Sequence, residues 1–246
     1  GNAAARAVAV SGGQTIGRGQ VQIRPGDGPD LTTRLESGAM IAQLRFNGAA
    51  DTLWRLTGVE GFDVSGPVAI GADIAGSAAN PVIRGSVRTA NARIESAATG
   101  MVLTGIKASG QFSGSKLIID NFTGSAGGGI VSGRGSVDFT TGQHFGMNLS
   151  LQAENAVLLA RDDLGATVTG PISFASDGRG GGLISGDVEL VRSAFRLGRA
   201  TSAAAIPRLN VREVNVIAED RARGLPTSPW RLAIKARAPN RLAVTG

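Results

Sequence analysis

The sequence has no cysteine, no tyrosine and a single histidine, His144, and aromatic residues fill only 4% of its 246 positions. Without cysteine there is no thiol nucleophile, no disulfide and no His/Cys zinc site. A serine–histidine–acid triad has one histidine to draw on. His144 falls in the turn-like "TTGQHFG", where a solvated loop histidine is the ordinary reading. Long runs of like charge are missing too. The 25 Lys and Arg exceed the 19 Asp and Glu by six, but the arginines are scattered singly. The clustering and aromatic interleaving of a nucleic-acid surface do not occur. No stretch reaches the roughly 18 apolar residues of a membrane-spanning helix. The acidic pairs Asp162–Asp163 and Glu219–Asp220 are sequence neighbours, and neighbours on a strand point to opposite faces, so neither pair converges. The expectation is a non-enzymatic chain with no metal, no cofactor and no nucleic-acid partner.

What is present is glycine, at 37 positions, about twice the usual share of roughly 7%, and a period of two. "GQVQIR" sets Val21 and Ile23 against Gln20, Gln22 and Arg24; "PVAIGADIAG" puts Val68, Ile70, Ala72 and Ile74 on one face. "VSGRGSVDF" aligns Val131, Gly133, Gly135, Val137 and Phe139, and "FGMNLSLQA" aligns Phe145, Met147, Leu149, Leu151 and Ala153. "VREVNVIAE" (211–219) alternates as well, and "WRLAIKAR" sets Trp230, Leu232 and Ile234 against Arg231, Lys235 and Arg237. Such alternation marks half-buried, mostly antiparallel strands. Turn signals ("PGDGPD", "GSAANP", "TGQ", "SDGRGGG", "GLPTSP") separate the runs, and about sixteen strands fit between them. The fold class is all-β: a long curved sheet forming a groove, with at most one or two short helical turns. The helical candidates are Asp51–Gly58, with Asp51 as N-cap and Gly58 as stop, and a short turn in "AENAVLLARDD" (153–163).

An internal repeat relates 65–100 to 169–203, matching Gly66-Pro67 with Gly170-Pro171 and Gly85 with Gly186. Each unit holds several strands, which points to a sheet extended by copying rather than to a solenoid coil. Residues 1–246 are therefore expected to be one elongated segment, with 47–66 as an insertion. The chain opens at Gly1 without an initiator Met and closes within a strand-like run, so it reads as a piece of a longer protein whose anchor lies outside it.

The glycine-rich "GSAGGGIVSGRGSVDF" (124–139) tests a phosphate-loop reading and fails it. A Walker loop needs a Lys followed by Ser or Thr, and a G-x-G-x-x-G started at Gly133 meets Asp138 at its last position. "SGGQTIGRG" (11–19) fails in the same way. A turn at Gly127–Gly129 followed by a strand with two bare positions on its apolar face fits better. On that reading Gly133 and Gly135 face the concave side, where bulk narrows the groove or flattens its bend. Apolar residues at period two ordinarily mean a filled core; the sharper reading, a groove for lipid chains, has as its signature many strands with one apolar face, small side chains, few aromatics and almost no covering helix, and all four occur here.

The block "FNGAADTLWRLTGVEGFDVSGPVAIGADIAGSAANPVIRGSVRTANARIESAATG" (46–100) resembles the TamB family of the translocation and assembly module, in its alphaproteobacterial form. "GGGIVSGRGSV" is similar to the glycine-rich strand-turn units of that family and its AsmA-like relatives. The ending "ARAPNRLAVTG" (236–246) resembles the strand that leads into the family's C-terminal domain, itself expected to lie beyond the chain. The resemblance implies a β-taco trough in the periplasmic part of an inner-membrane-anchored Gram-negative envelope protein. It also implies phospholipid movement between inner and outer membranes. The alternative it carries is a scaffold or chaperone role in outer-membrane protein assembly with a TamA-like barrel, docked through regions outside this chain. It brings no catalytic residues. Acyl chains are then expected along Val68, Ile70, Ile74, Val87, Ile94, Gly133, Gly135, Val137, Phe139, Met147, Leu149, Leu151, Val188, Leu232 and Ile234. Sixteen strands at roughly 4.8 Å spacing make a trough about 75 Å long. A filled β-solenoid passenger and a β-helical carbohydrate enzyme are the other rivals. The repeat is too long for the first, and the second lacks a clustered acidic and aromatic surface.

Overall fold

The computed structural model describes residues 2–55, 61–78, 80–139, 145–178, 181–196, 230–238 and 242–245. His144, the pair Glu219–Asp220 and the alternating run 211–219 lie outside the described residues. In chain order the elements are β1 (Ala3–Ser11), β2 (Gln14–Arg24), α1 (Leu31–Ser37), β3 (Ala39–Ala49), α2 (Ala50–Trp54), β4 (Asp63–Ser65), β5 (Pro67–Gly76) and β6 (Pro81–Ser96). They continue with β7 (Met101–Gly114), β8 (Lys116–Ala126), β9 (Gly129–Asp138), β10 (Gly146–Ala160), β11 (Leu164–Asp177), β12 (Gly182–Arg196), β13 (Trp230–Arg237) and β14 (Leu242–Thr245).

All of the strands belong to one 14-stranded sheet with the order β1-β2-β3-β5-β6-β7-β8-β9-β10-β11-β12-β13. β4 pairs with β6 beside β5, and β14 pairs with β12 beside β13. Sequence-adjacent strands pair antiparallel, as short turns dictate; β13 and β14 instead join β12 in parallel. The twelve strands of the path, at roughly 4.8 Å each, span about 50 Å; fourteen strands are described against the sixteen expected.

The sheet is a single curved layer. Among the described residues Ile106 is the one large side chain that is fully buried, at 2% exposure, so the sheet encloses no filled interior of ordinary size. The segment 47–66 adds a short strand where β5 is shorter than its partner. β5 pairs with β6 from Pro81 to Arg88, and β4 then takes up Arg93–Glu95.

The helices differ from expectation. α2 covers Ala50–Trp54, is preceded by Ala49 without a side-chain cap, and holds Asp51 inside its first turn; Gly58 lies outside the described residues. "AENAVLLARDD" is not a helical turn: β10 runs through it to Ala160. α1 was not expected. Asp30 caps it, one carboxylate oxygen accepting the Thr33 N–H at 2.8 Å and the other the Thr33 hydroxyl at 3.0 Å. The backbone bond from Thr33, then its hydroxyl, hold the Asp30 carboxyl below its ordinary value of 3.8. A depressed carboxylate contributes stability that is present above the unfolded pKa and is lost as pH falls through the folded one. The Thr33 amide shift should therefore titrate with a midpoint below 3.8 in an acid NMR series, and Asp30→Ala should remove that titration.

The two repeat units form corresponding hairpins. Gly66 and Gly170 both adopt positive φ, +93° and +139°, and a Cβ at either would stand 2.5 Å from a carbonyl oxygen of the facing strand, that of Asn91 or Asp187. Their registers differ, however. Gly85 lies opposite Ala72, five residues past Pro67, whereas Gly186 lies opposite Ile172, one residue past Pro171. The offset of four is even, so both hairpins keep their apolar side chains on the same face.

Candidate functional site: an uncovered apolar face

Directly opposed residues in a ladder share a face, so the register traces the apolar side of the sheet strand by strand. Phe46 faces Ile70, Ile70 faces Val87 and Val87 faces Gly110; Ile74 faces Ile83, and Val68 faces Gly48. Further along, Leu117 faces Val137, Val137 faces Met147 and Met147 faces Ser176. Gly135 faces Leu149, which faces Phe174, then Ile184, then Leu232. Gly133 faces Leu151, which faces Ile172, Gly186 and Ile234 in turn. Ile94 faces Leu103, and Val188 faces Ala236. Phe139 follows β9 and meets Phe112 and Phe145, with ring centroids 6.2 and 5.4 Å apart.

The structure thus brings all fifteen expected positions to one face, but at unequal depth. Val188 is 5% exposed and Leu232 is 72% exposed, while most of the others are half-buried. Phe46, Phe112, Leu117, Ile119, Phe122, Phe174 and Ile184 belong to the same face and were not singled out from sequence. For Phe174 the signal was available, since "PISFAS" alternates.

One end of the strands is closed. The β6–β7 and β10–β11 hairpins run past the shorter β8–β9 hairpin and meet beyond its tip. There the Ala160 N–H donates to the Thr99 carbonyl at 2.8 Å, and the Arg161 guanidinium reaches the Ala98 carbonyl at 3.4 Å. A bulge at Asn155, whose φ is +48°, turns β10 toward that contact. Beneath it Leu103, Ile106, Ala126, Val131, Ala153, Ala156 and Val168 form a packed cluster, with the three alanines at 0% exposure. Small side chains are what converging backbones admit. At the other strand ends, by the β7–β8 and β9–β10 connections, Leu117, Val137, Met147 and the three phenylalanines stay half-exposed.

The opposite face holds the charged side chains of the ladder. Arg45–Asp73 at 2.9 Å, Lys116–Asp138 at 3.6 Å, Arg161–Asp163 at 3.2 Å, Arg237–Asp187 at 2.9 Å and Arg93–Glu95 are ion pairs between largely exposed side chains, each worth at most about 1 kcal/mol. Among the described residues no three His, Asp or Glu side chains are placed to hold a metal, and no helix is long and apolar enough to cross a membrane.

Comparison with curated proteins finds no match, and comparison with solved structures finds none. The family model described as the TamB C-terminal domain matches residues 120–246. This corrects the expectation that the family's C-terminal domain lies beyond the chain, because the match begins within β8. It covers just over half of the sequence, and with the glycine-rich β-sheet it shows that the chain belongs to the TamB family of cell-envelope proteins.

Proposed function

We propose that residues 1–246 act as one elongated groove segment in the periplasm and bind and conduct phospholipid acyl chains between inner and outer membranes. One observation carries the reading: a continuous apolar face across twelve strands that no second layer covers among the described residues. Such a face is too large to leave in water without an occupant. An acyl chain suits it, because each methylene it buries contributes about 0.8 kcal/mol and its flexibility tolerates a lining of mixed depth. The packed strand ends at Ala126, Ala153 and Ala156 leave the half with Phe112, Val137 and Met147 for the chains.

The second reading is a scaffold for outer-membrane protein assembly with a TamA-like barrel. The edge strand β1 favours it: among the described residues it pairs only with β2, and it exposes Val8 and Val10 at 61% each, as an edge open to strand addition does. Because the C-terminal domain model matches 120–246, the barrel's docking surface is sought within this chain as well as outside it. Mass spectrometry of lipids copurifying with the protein separates the two. Phospholipid in stoichiometric amount is the expected result. Photocrosslinks from β1 to unfolded barrel proteins, with no lipid recovered, would replace it with the scaffold.

A further inference from the structure

The polar face holds a feature that the groove does not use. Asn47, Ala69, Arg88, Ser109 and Asn121 lie in one cross-strand row over β3, β5, β6, β7 and β8, each directly opposite the next. Lys107 stands two residues from Ser109 on β7, a diagonal neighbour of Arg88 at about 7–8 Å between strands. These six residues line a surface cavity of about 520 Å³. Ala69 leaves the hollow between the longer side chains on either side of it.

Two observations mark this cavity. First, no carboxylate lines it, and neither Arg88 nor Lys107 has an ion-pair partner among the described residues. Second, the ladder shifts register around it on three neighbouring strands: at Thr89/Ala92 on β6, at Thr104/Lys107 and Ser109/Gly110 on β7, and at Ile119/Phe122 on β8. Bulges re-aim side chains and recur beside binding sites.

We propose that this cavity is a binding site for a phosphate-type oxyanion. The Arg88 guanidinium supplies a planar fork for two oxygens and the Lys107 ammonium a compact second charge. The Ser109 hydroxyl, directly opposite Arg88, donates to what remains. The phosphate is either free or part of a lipid headgroup, and the chemistry of recognition is shared.

The test titrates the whole chain with inorganic phosphate, following backbone amide shifts, and in a second arm floats it with phosphatidylcholine vesicles with and without phosphatidylglycerol. Saturable shifts around residues 88, 107, 109 and 121 are expected, falling off as ionic strength rises. Arg88→Gln and Lys107→Gln should each weaken binding about tenfold. Arg134→Gln, an exposed cation on the same face outside the cavity, should leave binding unchanged. Saturation by phosphate supports a free oxyanion. Flotation that depends on phosphatidylglycerol and on Arg88 and Lys107, without phosphate saturation, supports a headgroup. The proposal is overturned if neither arm shows binding, or if Arg134→Gln weakens it as much as the cavity variants do, since a diffuse basic surface then accounts for it.

Discussion

Leu149→Asp is expected to strip phospholipid from the protein while leaving its sheet folded. Leu149 sits mid-groove between Gly135 and Phe174 and is half-buried. A carboxylate at that position reaches water, so the fold loses little beyond one partly buried side chain. An acyl chain crossing the same point has no such escape. It must leave the face over roughly four or five methylenes, at about 0.8 kcal/mol each. That is about 3–4 kcal/mol, or two to three orders of magnitude in affinity. Ile70→Arg makes the same argument from β5, five strands away along the sheet. If lipid moves along the groove, either variant blocks transfer, because a break anywhere interrupts the path; if lipid only sits locally, each removes its own share. Leu149→Met, which conserves volume and polarity class, should retain lipid. Full lipid recovery with Leu149→Asp and Ile70→Arg, in protein that melts normally, would sink the lining assignment. The scaffold reading predicts that neither substitution matters to client crosslinking at β1.

The apolar face was legible because a single-layer sheet keeps strict alternation, with one side apolar and the other meeting water. Val68, Ile70 and Ile74 were readable for that reason, as were Met147, Leu149 and Leu151. Alternation failed where the sheet curls and its strand ends meet. In "AENAVLLARDD" the apolar residues Val157, Leu158 and Leu159 are consecutive, since the hairpins converge there and both sides of β10 find partners. A two-residue period vanishes under those conditions, and the run resembles a helical turn. Leu103 and Ile106 were lost at a phase shift, because Gly105, with φ +60°, interrupts β7 between them. The Asp30 cap of α1 stood in plain view as "PDLTTRLES", but seven residues are too short for a helical period to declare itself. The parallel return of β13 beside β12 joins residues 182–189 to 230–237, and nothing local encodes a partner that far away. The repeat likewise matched glycines without fixing their register, since alignment counts residues along a strand and pairing counts them across the turn.

Gly135→Val is expected to unfasten β9 from β10, an effect on folding rather than on groove width. From sequence, Gly133 and Gly135 were bare positions that left room in the concavity. The structure gives a harder constraint. A Cβ at Gly135 would stand 2.8 Å from Leu149 Cα, and one at Gly133 would stand 3.0 Å from Leu151 Cα, with the Asn148 and Ser150 carbonyls closer still. Carbon atoms in contact settle at about 3.5–4.0 Å, and a backbone atom cannot rotate aside as a side-chain tip does. β9 would have to withdraw by most of an ångström, loosening the Gly133↔Leu151 and Gly135↔Leu149 pairs and their neighbours. Overpacking of this kind costs about 1–3 kcal/mol, and in a chain of this length each kcal/mol lowers Tm by roughly 2–4 °C. A fall of about 2–12 °C is therefore expected for Gly135→Val, with faster amide exchange confined to β9 and β10. Ser136→Val on the other face, opposite Asn148, should shift stability by less than about 1 kcal/mol. Equal melting of Gly135→Val and wild type would mean that the strands are not held so close. A large drop for both variants would point to the strand as a whole rather than to the bare positions. The glycines matter twice: they let β10 approach, and the approach sets Leu149 and Leu151 side by side over them as a continuous apolar floor.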